Sequence, residues 1–335
     1  MWKLKGVFML RHVLVGALFS TNLILNAPKS LSHHKLAPDA SPALVVHPVL
    51  REFSLPHRSA PVDIVTGPHG NLWITETGTS ALGRLSPSGT LRQFPLSPKS
   101  GPTGIAVGGN QSLWFAENYA DAIGRLSPNG RVHVYRLPHN SGPFTITRGP
   151  DGAMWFTENG RDKVGNLSPT GHLREFALPH GSQPMGIVAG PDHNLWITEN
   201  GTGEIGRLSP TGRLRQFAVG SQSYPEGITV GLDGTLWFVE TYAGKVGRLM
   251  PSGALRLFSL PSGSQPSNIT TGPDGALWFT ETAVDKIGRL SSSNALREIT
   301  LPQGSSPVGI TADSHHNIWF TARDASKVGR LSMLP

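Results

Sequence analysis

Residues 272–281 read Gly-Pro-Asp-Gly-Ala-Leu-Trp-Phe-Thr-Glu, a tight-turn sequence followed at once by a short apolar stretch. Proline fixes φ in such a turn, and Asp and Gly tolerate its geometry. The tryptophan of this stretch recurs every 41 residues, without insertion or deletion. The seven tryptophans are Trp73, Trp114, Trp155, Trp196, Trp237, Trp278 and Trp319. A long repeat of constant length indicates a propeller or a solenoid.

The rest of the repeat decides between these two architectures. In the sixth unit, residues 266–271, 277–280, 286–290 and 295–299 form four short β-branched or apolar runs separated by turn residues. We predict these runs to be strands A, B, C and D of one blade. Because the repeat contains no helical period, the sequence predicts an all-β, seven-bladed β-propeller with four-stranded blades. The tryptophans are expected to pack between adjacent blades.

The two ends of the repeat predict how the ring closes. The last unit ends with strand C at residues 328–332 and has no strand D. Residues 49–56, Val-Leu-Arg-Glu-Phe-Ser-Leu-Pro, match the strand D sequence at residues 254–261. We therefore predict that the N-terminal strand completes the last blade, so that the propeller spans residues 49–335. Such pairing would remove two free sheet edges.

The N-terminus resembles an export signal. Lys3, Lys5 and Arg11 precede a largely apolar run at residues 13–25. We predict a signal peptide at residues 1–27 and a linker at residues 28–48, which places the protein in the periplasm or outside the cell. The alternative is an uncleaved membrane anchor, although the apolar run is short for a spanning helix.

Composition excludes several classes of function. The chain of 335 residues has no cysteine, so disulfides, thiolate nucleophiles and cysteine-metal sites are excluded. Its arginines mostly recur once per repeat, in Gly-Arg-Leu, and do not form the clustered patch typical of nucleic-acid binding. We expect a monomer that binds a small molecule or a peptide at the mouth of its central channel and does not bind nucleic acid.

Positions that repeat in every blade are expected to be scaffold, whereas functional residues are expected where the blades differ. The residue after the strand A proline differs in nearly every blade: Val62, Thr103, Phe144, Met185, Glu226, Ser267 and Val308. Glu226 is the ionisable residue of this set. Near Tyr224, Phe144 and Met185, its pKa could be raised enough for acid or base catalysis; the alternative is a solvated surface carboxylate.

Other residues on the same face are weaker candidates. Tyr119 and Tyr242 occupy matching places in the B–C loops, and we include them with Ser267 among the predicted ligand-binding residues. Three histidines lie in D–A loops: His57, His139 and His180. We take His180 as a second catalytic candidate. Six of the seven tryptophans are followed, three residues later, by a glutamate: Glu76, Glu117, Glu158, Glu199, Glu240 and Glu281. These glutamates either line the channel as a cation site or belong to the scaffold.

The phrase at residues 272–281, followed by Lys-Ile-Gly-Arg-Leu at 286–290 and Leu-Arg-Glu at 296–298, resembles the virginiamycin B (streptogramin B) lyase family over residues 50–335. The resemblance implies a C–O lyase that opens a cyclic depsipeptide with Mg²⁺ and without hydrolysis. The family places a histidine where this chain has Ser267, and Glu-Pro-His where it has Ser306-Pro307-Val308. A further family glutamate falls near Arg323. The family's catalytic residues therefore do not carry over, and metal ligands are not assigned.

Three hypotheses follow for the function. The first is a lyase-like enzyme with a rearranged site that uses Glu226 with a loop histidine. The second is a non-catalytic binding propeller of the cell envelope. The third is a lactonase-like hydrolase whose divalent ion is held by the oxygen ligands Asn118, Asn159 and Asn200.

Overall fold

The computed structural model describes residues 32–34 and 48–332, in which 29 strands form seven sheets. Each sheet contains four antiparallel strands, A to D, and one sheet carries a fifth, short strand at its edge; the seven sheets are the blades of a propeller. The seven A strands contact one another in cyclic order, with the A strand of blade 7 against that of blade 1, so they form the central ring. The predicted seven-bladed, all-β fold is confirmed.

The inner two strands of each blade carry the apolar part of the repeat. The A strands are β3 (Pro61–Thr66), β7 (Pro102–Val107), β11 (Pro143–Arg148), β15 (Pro184–Ala189), β19 (Pro225–Val230), β23 (Pro266–Thr271) and β27 (Pro307–Ala312). The B strands are β4 (Leu72–Glu76), β8 (Leu113–Glu117), β12 (Met154–Glu158), β16 (Leu195–Glu199), β20 (Leu236–Glu240), β24 (Leu277–Glu281) and β28 (Asn317–Ala322).

The outer two strands complete each blade. The C strands are β5 (Ala81–Leu85), β9 (Ala122–Leu126), β13 (Lys163–Leu167), β17 (Glu204–Leu208), β21 (Lys245–Leu249), β25 (Lys286–Leu290) and β29 (Lys327–Ser332). The D strands are β6 (Leu91–Pro95), β10 (Val132–Arg136), β14 (Leu173–Ala177), β18 (Leu214–Ala218), β22 (Leu255–Ser259), β26 (Leu296–Thr300) and β2 (Val49–Ser54).

The ring closes through the N-terminal strand, as predicted. Strand β2 pairs antiparallel with β29, in a register that runs from Val49 opposite Ser332 to Ser54 opposite Lys327. Lys327 Nζ also lies 2.8 Å from Glu52 Oε2 across this pair. The last blade is therefore built from both ends of the repeat, and it joins them through a full strand ladder.

A further short strand, β1 (Ser32–His34), pairs in parallel with the outer strand β22 of blade 5. The sequence did not predict a strand here, because three residues carry no periodicity. The predicted signal peptide at residues 1–27 and the predicted linker, apart from residues 32–34 and 48, lie outside the described residues. The structure has no helix in residues 32–34 and 48–332 that is long and apolar enough to cross a membrane.

The tryptophans pack between blades, as expected. Trp114 of blade 2 packs on Ile146 and Phe156 of blade 3, and Trp319 of blade 7 packs on Ile64 and Leu72 of blade 1. Most of these rings also lie against an aromatic ring of strand D, as in the stacked pair Trp155–Phe176 at 5.2 Å between centroids. The tryptophan at the centre of the repeat is thus core, and it joins each blade to the next.

Candidate functional site

A cavity of about 260 Å³ opens at the end of the central channel formed by the D–A and B–C loops. Its polar wall contains Glu226, Thr241, Ser267 and Arg323, which come from blades 5, 6 and 7. Its apolar wall includes Val62, Phe144 and Val308 from blades 1, 3 and 7. Blades that are distant in sequence therefore contribute to one site, and Glu226, Ser267 and Arg323 do so at positions where the repeats differ.

The residue four positions after each tryptophan usually joins neighbouring blades. In blades 1 to 6 its side chain donates a hydrogen bond to the strand A proline carbonyl of the next blade, over 2.5–3.3 Å. These residues are Thr77, Asn118, Asn159, Asn200, Thr241 and Thr282. Blade 7 has Arg323 here, and this exposed side chain lines the mouth cavity. Arg323 is the departure from the repeat that brings a cation into the site.

Each carboxylate oxygen of Glu226 has a hydroxyl group within hydrogen-bond distance. Ser267 Oγ donates to Oε1 over 3.0 Å, and Thr241 Oγ1 lies 2.8 Å from Oε2. The Thr241 oxygen also lies 2.8 Å from the Pro266 carbonyl, so its single proton serves one acceptor at a time. Burial raises the pKa of Glu226, while the two hydroxyls and the Arg323 charge oppose that rise.

A narrower cavity of about 80 Å³ continues into the channel below the mouth and shares Glu226, Phe144 and Ser267 with it. Asp63 lines this deeper part. Its Oδ1 accepts the Ile64 N–H over 2.8 Å and its Oδ2 accepts the Ile105 N–H of blade 2 over 3.0 Å. Burial raises the pKa of Asp63 to about 6, despite these two donors.

Of the residues predicted from the sequence, Tyr119, Phe144, Glu226 and Ser267 lie together at the mouth cavity. Tyr119 is 70% exposed and forms the rim.

Three other predicted ligand-binding residues lie outside that lining. Tyr224 and Tyr242 form an edge-to-face pair with centroids 4.9 Å apart, and the half-buried Met185 sulfur accepts from Asn159 Nδ2 over 3.3 Å.

His180 is not brought to Glu226. Its side chain is fully exposed, and its Nδ1 lies 3.4 Å from Asp162 Oδ2. The same Asp162, in the B–C loop of blade 3, accepts the N–H groups of Gly181 and Gln183, so the pair joins this loop to the D–A loop. The geometry therefore offers Glu226 a cation and two hydroxyls as neighbours, and no loop histidine lines the mouth cavity.

The six repeated glutamates are buried at 0–1% exposure and do not line either channel cavity. Glu199 Oε2 accepts from Ser182 of the preceding D–A loop and from Gln216 of strand D, which shows how such a carboxyl is held inside the blade. Burial raises the pKa of each; it reaches about 7 for Glu158 and Glu240 and about 8 for Glu281, where a neighbouring carboxyl also contributes. This environment supports the scaffold interpretation.

The residues at the mouth do not suit Mg²⁺. Magnesium prefers several oxygen ligands, usually including one or two carboxylates. Glu226 is the carboxylate of the mouth lining, and it faces two hydroxyl donors and the Arg323 charge. No group of three His, Cys, Asp or Glu in the described part of the chain could hold a metal ion. The amide nitrogens of Asn118, Asn159 and Asn200 bond proline carbonyls of the next blade.

Sequence reasoning missed Asp63 and Thr241, and it noted Arg323 as a replaced family residue without assigning it a role. Asp63 follows its strand A proline by two positions, where the other blades have Gly, Thr or Asn. A comparison of that column across the repeats would have found it. Thr241 could not be found in this way, because threonine at its position is part of the repeat pattern.

The profile of the virginiamycin B lyase family matches residues 48–264 and, in a second overlapping placement, residues 139–334. The chain belongs to the virginiamycin B lyase family. The solved virginiamycin B lyase of Staphylococcus aureus is 35% identical to this chain, with a TM-score of 0.83, and covers 86% of this chain and 100% of its own. Among curated proteins, none shows significant sequence similarity to the chain.

A second structure of the S. aureus lyase is a catalytically inactive histidine-to-alanine variant with quinupristin; it has the same identity and TM-score. A putative gluconolactonase is 15% identical, covers 88% of this chain and 96% of its own, and has a TM-score of 0.55. At that identity the likeness shows a shared fold alone. Membership of the lyase family is therefore shown over the whole propeller, whereas the mouth carries its own set of residues.

Proposed function

We propose that this propeller is a lyase-type enzyme that opens a cyclic depsipeptide ester by elimination, with Glu226 as its base. The observation that carries the proposal is the placement of Glu226 at the channel mouth, with a raised pKa and with Arg323 beside it. A base whose pKa lies closer to neutral pH is better matched to proton abstraction. Family membership supplies the class of substrate.

In the proposed step, ionised Glu226 removes a proton from the carbon next to a carbonyl group. The C–H electron pair becomes a carbon–carbon double bond, and the ester C–O bond of the neighbouring carbon breaks. The C–O electrons leave with the carboxylate, so no water is consumed. Arg323 is suited to stabilise the negative charge that develops, because a cation in a partly desolvated site acts more strongly than in water.

Thr241 and Ser267 position the base. With Glu226 ionised, both hydroxyls can donate to it, which fixes the carboxylate plane. After Glu226 takes a proton it needs fewer donors, and Thr241 can then donate to the Pro266 carbonyl at the same distance of 2.8 Å. The apolar Phe144, Val62 and Val308 provide the surface against which a hydrophobic cyclic peptide would pack.

Variants at two positions test the proposal. We expect Glu226→Gln to lower kcat on a streptogramin B by at least about 100-fold, the scale of a lost general base. Activity of the unaltered protein should rise with pH to a plateau, since Glu226 must be ionised. Because Arg323 lowers the pKa of Glu226, Arg323→Gln should move the midpoint of this rise to higher pH as well as lower kcat. Arg131→Gln, an exposed arginine away from the mouth, is the control for charge.

The alternative is a non-catalytic propeller that binds a cyclic or linear peptide. It is favoured by the two hydroxyl groups that lie within hydrogen-bond distance of the Glu226 carboxylate, since a carboxylate held in this way can also be a recognition group. Calorimetric titration with the same streptogramin, without turnover, would support this alternative. Turnover that is unaffected by Glu226→Gln would contradict the assignment of the base.

A further inference from the structure

The face opposite the mouth carries a repeated arrangement of a turn carboxylate, a tryptophan and an arginine. In blade 4, Trp196 Nε1 donates to Asp192 Oδ1 over 3.1 Å, and Arg207 Nε lies 2.6 Å from Asp192 Oδ2. In blade 6, Asp274 accepts from Trp278 and from two nitrogens of Arg289. One carboxylate therefore joins an indole N–H and a guanidinium in each of these blades.

Blade 1 keeps the tryptophan and the arginine but has no carboxylate in the turn between strands A and B. Residue 69, four before Trp73, is a histidine where blades 3 to 6 have an aspartate. Trp73 is 8% exposed, and its buried Nε1 has no hydrogen-bond partner among residues 32–34 and 48–332. A Cβ added to Gly67 would lie 2.8 Å from this Nε1, so the N–H edge faces the turn. The corresponding position in blade 4, Gly190, has Asp192 Oδ1 beside it as well.

A cavity of about 190 Å³ lies next to Trp73. It is bounded by the turn between strands A and B of blade 1 and by the turn between strands C and D of blade 2. Trp73, Arg84 and Arg92 line it, and no aspartate or glutamate does. The guanidinium carbon of Arg84 lies 5.9 Å from the centroids of both the Trp73 and Phe94 rings, and that of Arg92 lies 4.9 Å from Phe94. Within the described part of the chain, neither arginine forms an ion pair with a carboxylate.

From this geometry we infer that the cleft between blades 1 and 2 binds the carboxylate of a small organic acid, between Trp73 Nε1–H and Arg84, with Arg92 at its edge. The bound carboxylate would take the place that Asp192 and Asp274 occupy in their blades. A buried indole N–H without an acceptor is unfavourable, and a carboxylate supplies a charge-assisted bond to both groups. This site lies on the face opposite the mouth and does not depend on the proposed lyase activity.

The test uses the whole protein labelled with ¹⁵N, and acetate as the probe. The indole peak of Trp73 is assigned among the eight tryptophans with Trp73→Phe. We expect acetate to move this peak saturably, and equal concentrations of chloride or the neutral acetamide to leave it in place. Arg84→Gln should weaken acetate binding at least tenfold. Arg215→Gln, the counterpart of Arg92 in blade 4, should leave it unchanged.

A second variant guards against loss of folding. His69→Asp restores the sequence Gly-Pro-Asp-Gly found in blade 6, and Asp tolerates the positive φ of 60° at this position. It should abolish acetate binding while raising the melting temperature in the absence of acetate. An unmoved Trp73 peak with acetate, or acetate binding that survives both variants, would overturn the inference. Binding of phosphate with no response to acetate would overturn the choice of a carboxylate.

Discussion

Glu226 and the six repeated glutamates are all carboxylates with raised pKa values, but their surroundings differ. The repeated glutamates are enclosed within single blades, whereas Glu226 lines the open channel mouth. Burial raises the pKa in both cases, so a raised pKa alone does not identify the site. Access from solvent and the neighbouring Arg323 distinguish the functional candidate from the scaffold.

Glu281 provides a prediction about stability and pH. Its pKa rises from 4.5 to about 8 on folding, so the unfolded chain releases this proton at lower pH than the folded chain. The free energy of unfolding should therefore decrease as pH rises from about 4.5 to about 8. Glu281→Gln removes this contribution. Between pH 4 and pH 8 its stability relative to the unaltered protein should therefore increase by about 4 kcal/mol.

Denaturant titrations at several pH values check this prediction. Glu52→Gln is a suitable control, since Glu52 pairs with Lys327 on the closing strand and is not one of the six. A pH dependence that is the same with and without Glu281 would contradict the assigned cause.

At the scale of elements, the A strands determine what the channel presents. Pro102 and Ile105 flank an irregularity in strand pairing, and equivalent irregularities occur in the A strands of the other blades. Asp63 accepts an N–H from its own strand β3 and one from β7, so it joins blades 1 and 2. Asn268 is the counterpart of Asp63 in blade 6. In the described part of the chain, its side-chain oxygen accepts the N–H of Ile269 and no N–H from the next blade.

We predict that Asp63→Ala lowers the free energy of unfolding by about 2–4 kcal/mol, because two buried N–H groups lose their acceptor. Asp63→Asn should cost less, since Asn268 Oδ1 accepts the equivalent N–H in blade 6 over 2.8 Å. Urea titration of the two variants measures the difference. Equal stability of Asp63→Ala and the unaltered protein would show that water replaces the carboxylate without loss.

The strands were predictable from the sequence to within about one residue, because seven copies fix the same register. In the sixth unit, for example, strand C was predicted at residues 286–290 and observed at Lys286–Leu290. Glu226 was predictable because it differs from its counterparts in one aligned column. The proximity of Arg323 to Glu226 was not, because blades 5 and 7 meet at the mouth only when the ring closes. The position of the His180 side chain was not predictable either: it lies beside Asp162 and outside the mouth cavity.

At the scale of the molecule, the ring depends on one strand from the N-terminal end of the propeller. Strand β2 supplies Phe53, which is 8% exposed and packs with Trp319, Ile64 and Val328. Without it, β29 would become an open sheet edge beside an exposed apolar surface. Such edges pair with other chains.

Truncation tests this role. A chain that begins at residue 48 keeps β2 and should fold as the full chain does. A chain that begins at residue 56 loses β2 and should have a lower melting temperature and form soluble oligomers or aggregates, which light scattering detects. Equal melting temperatures for the two truncated chains would contradict closure by the N-terminal strand.

An elimination at the channel mouth can be recognised from the mass of its product. Purified protein is incubated with a streptogramin B at pH 8, with and without added Mg²⁺, and the product is analysed by mass spectrometry. We expect a ring-opened product of unchanged mass, because elimination adds no water, and we expect this product to be lost in Glu226→Gln. A product heavier by one water molecule would indicate hydrolysis, and no product at high protein concentration would contradict the lyase assignment for this substrate.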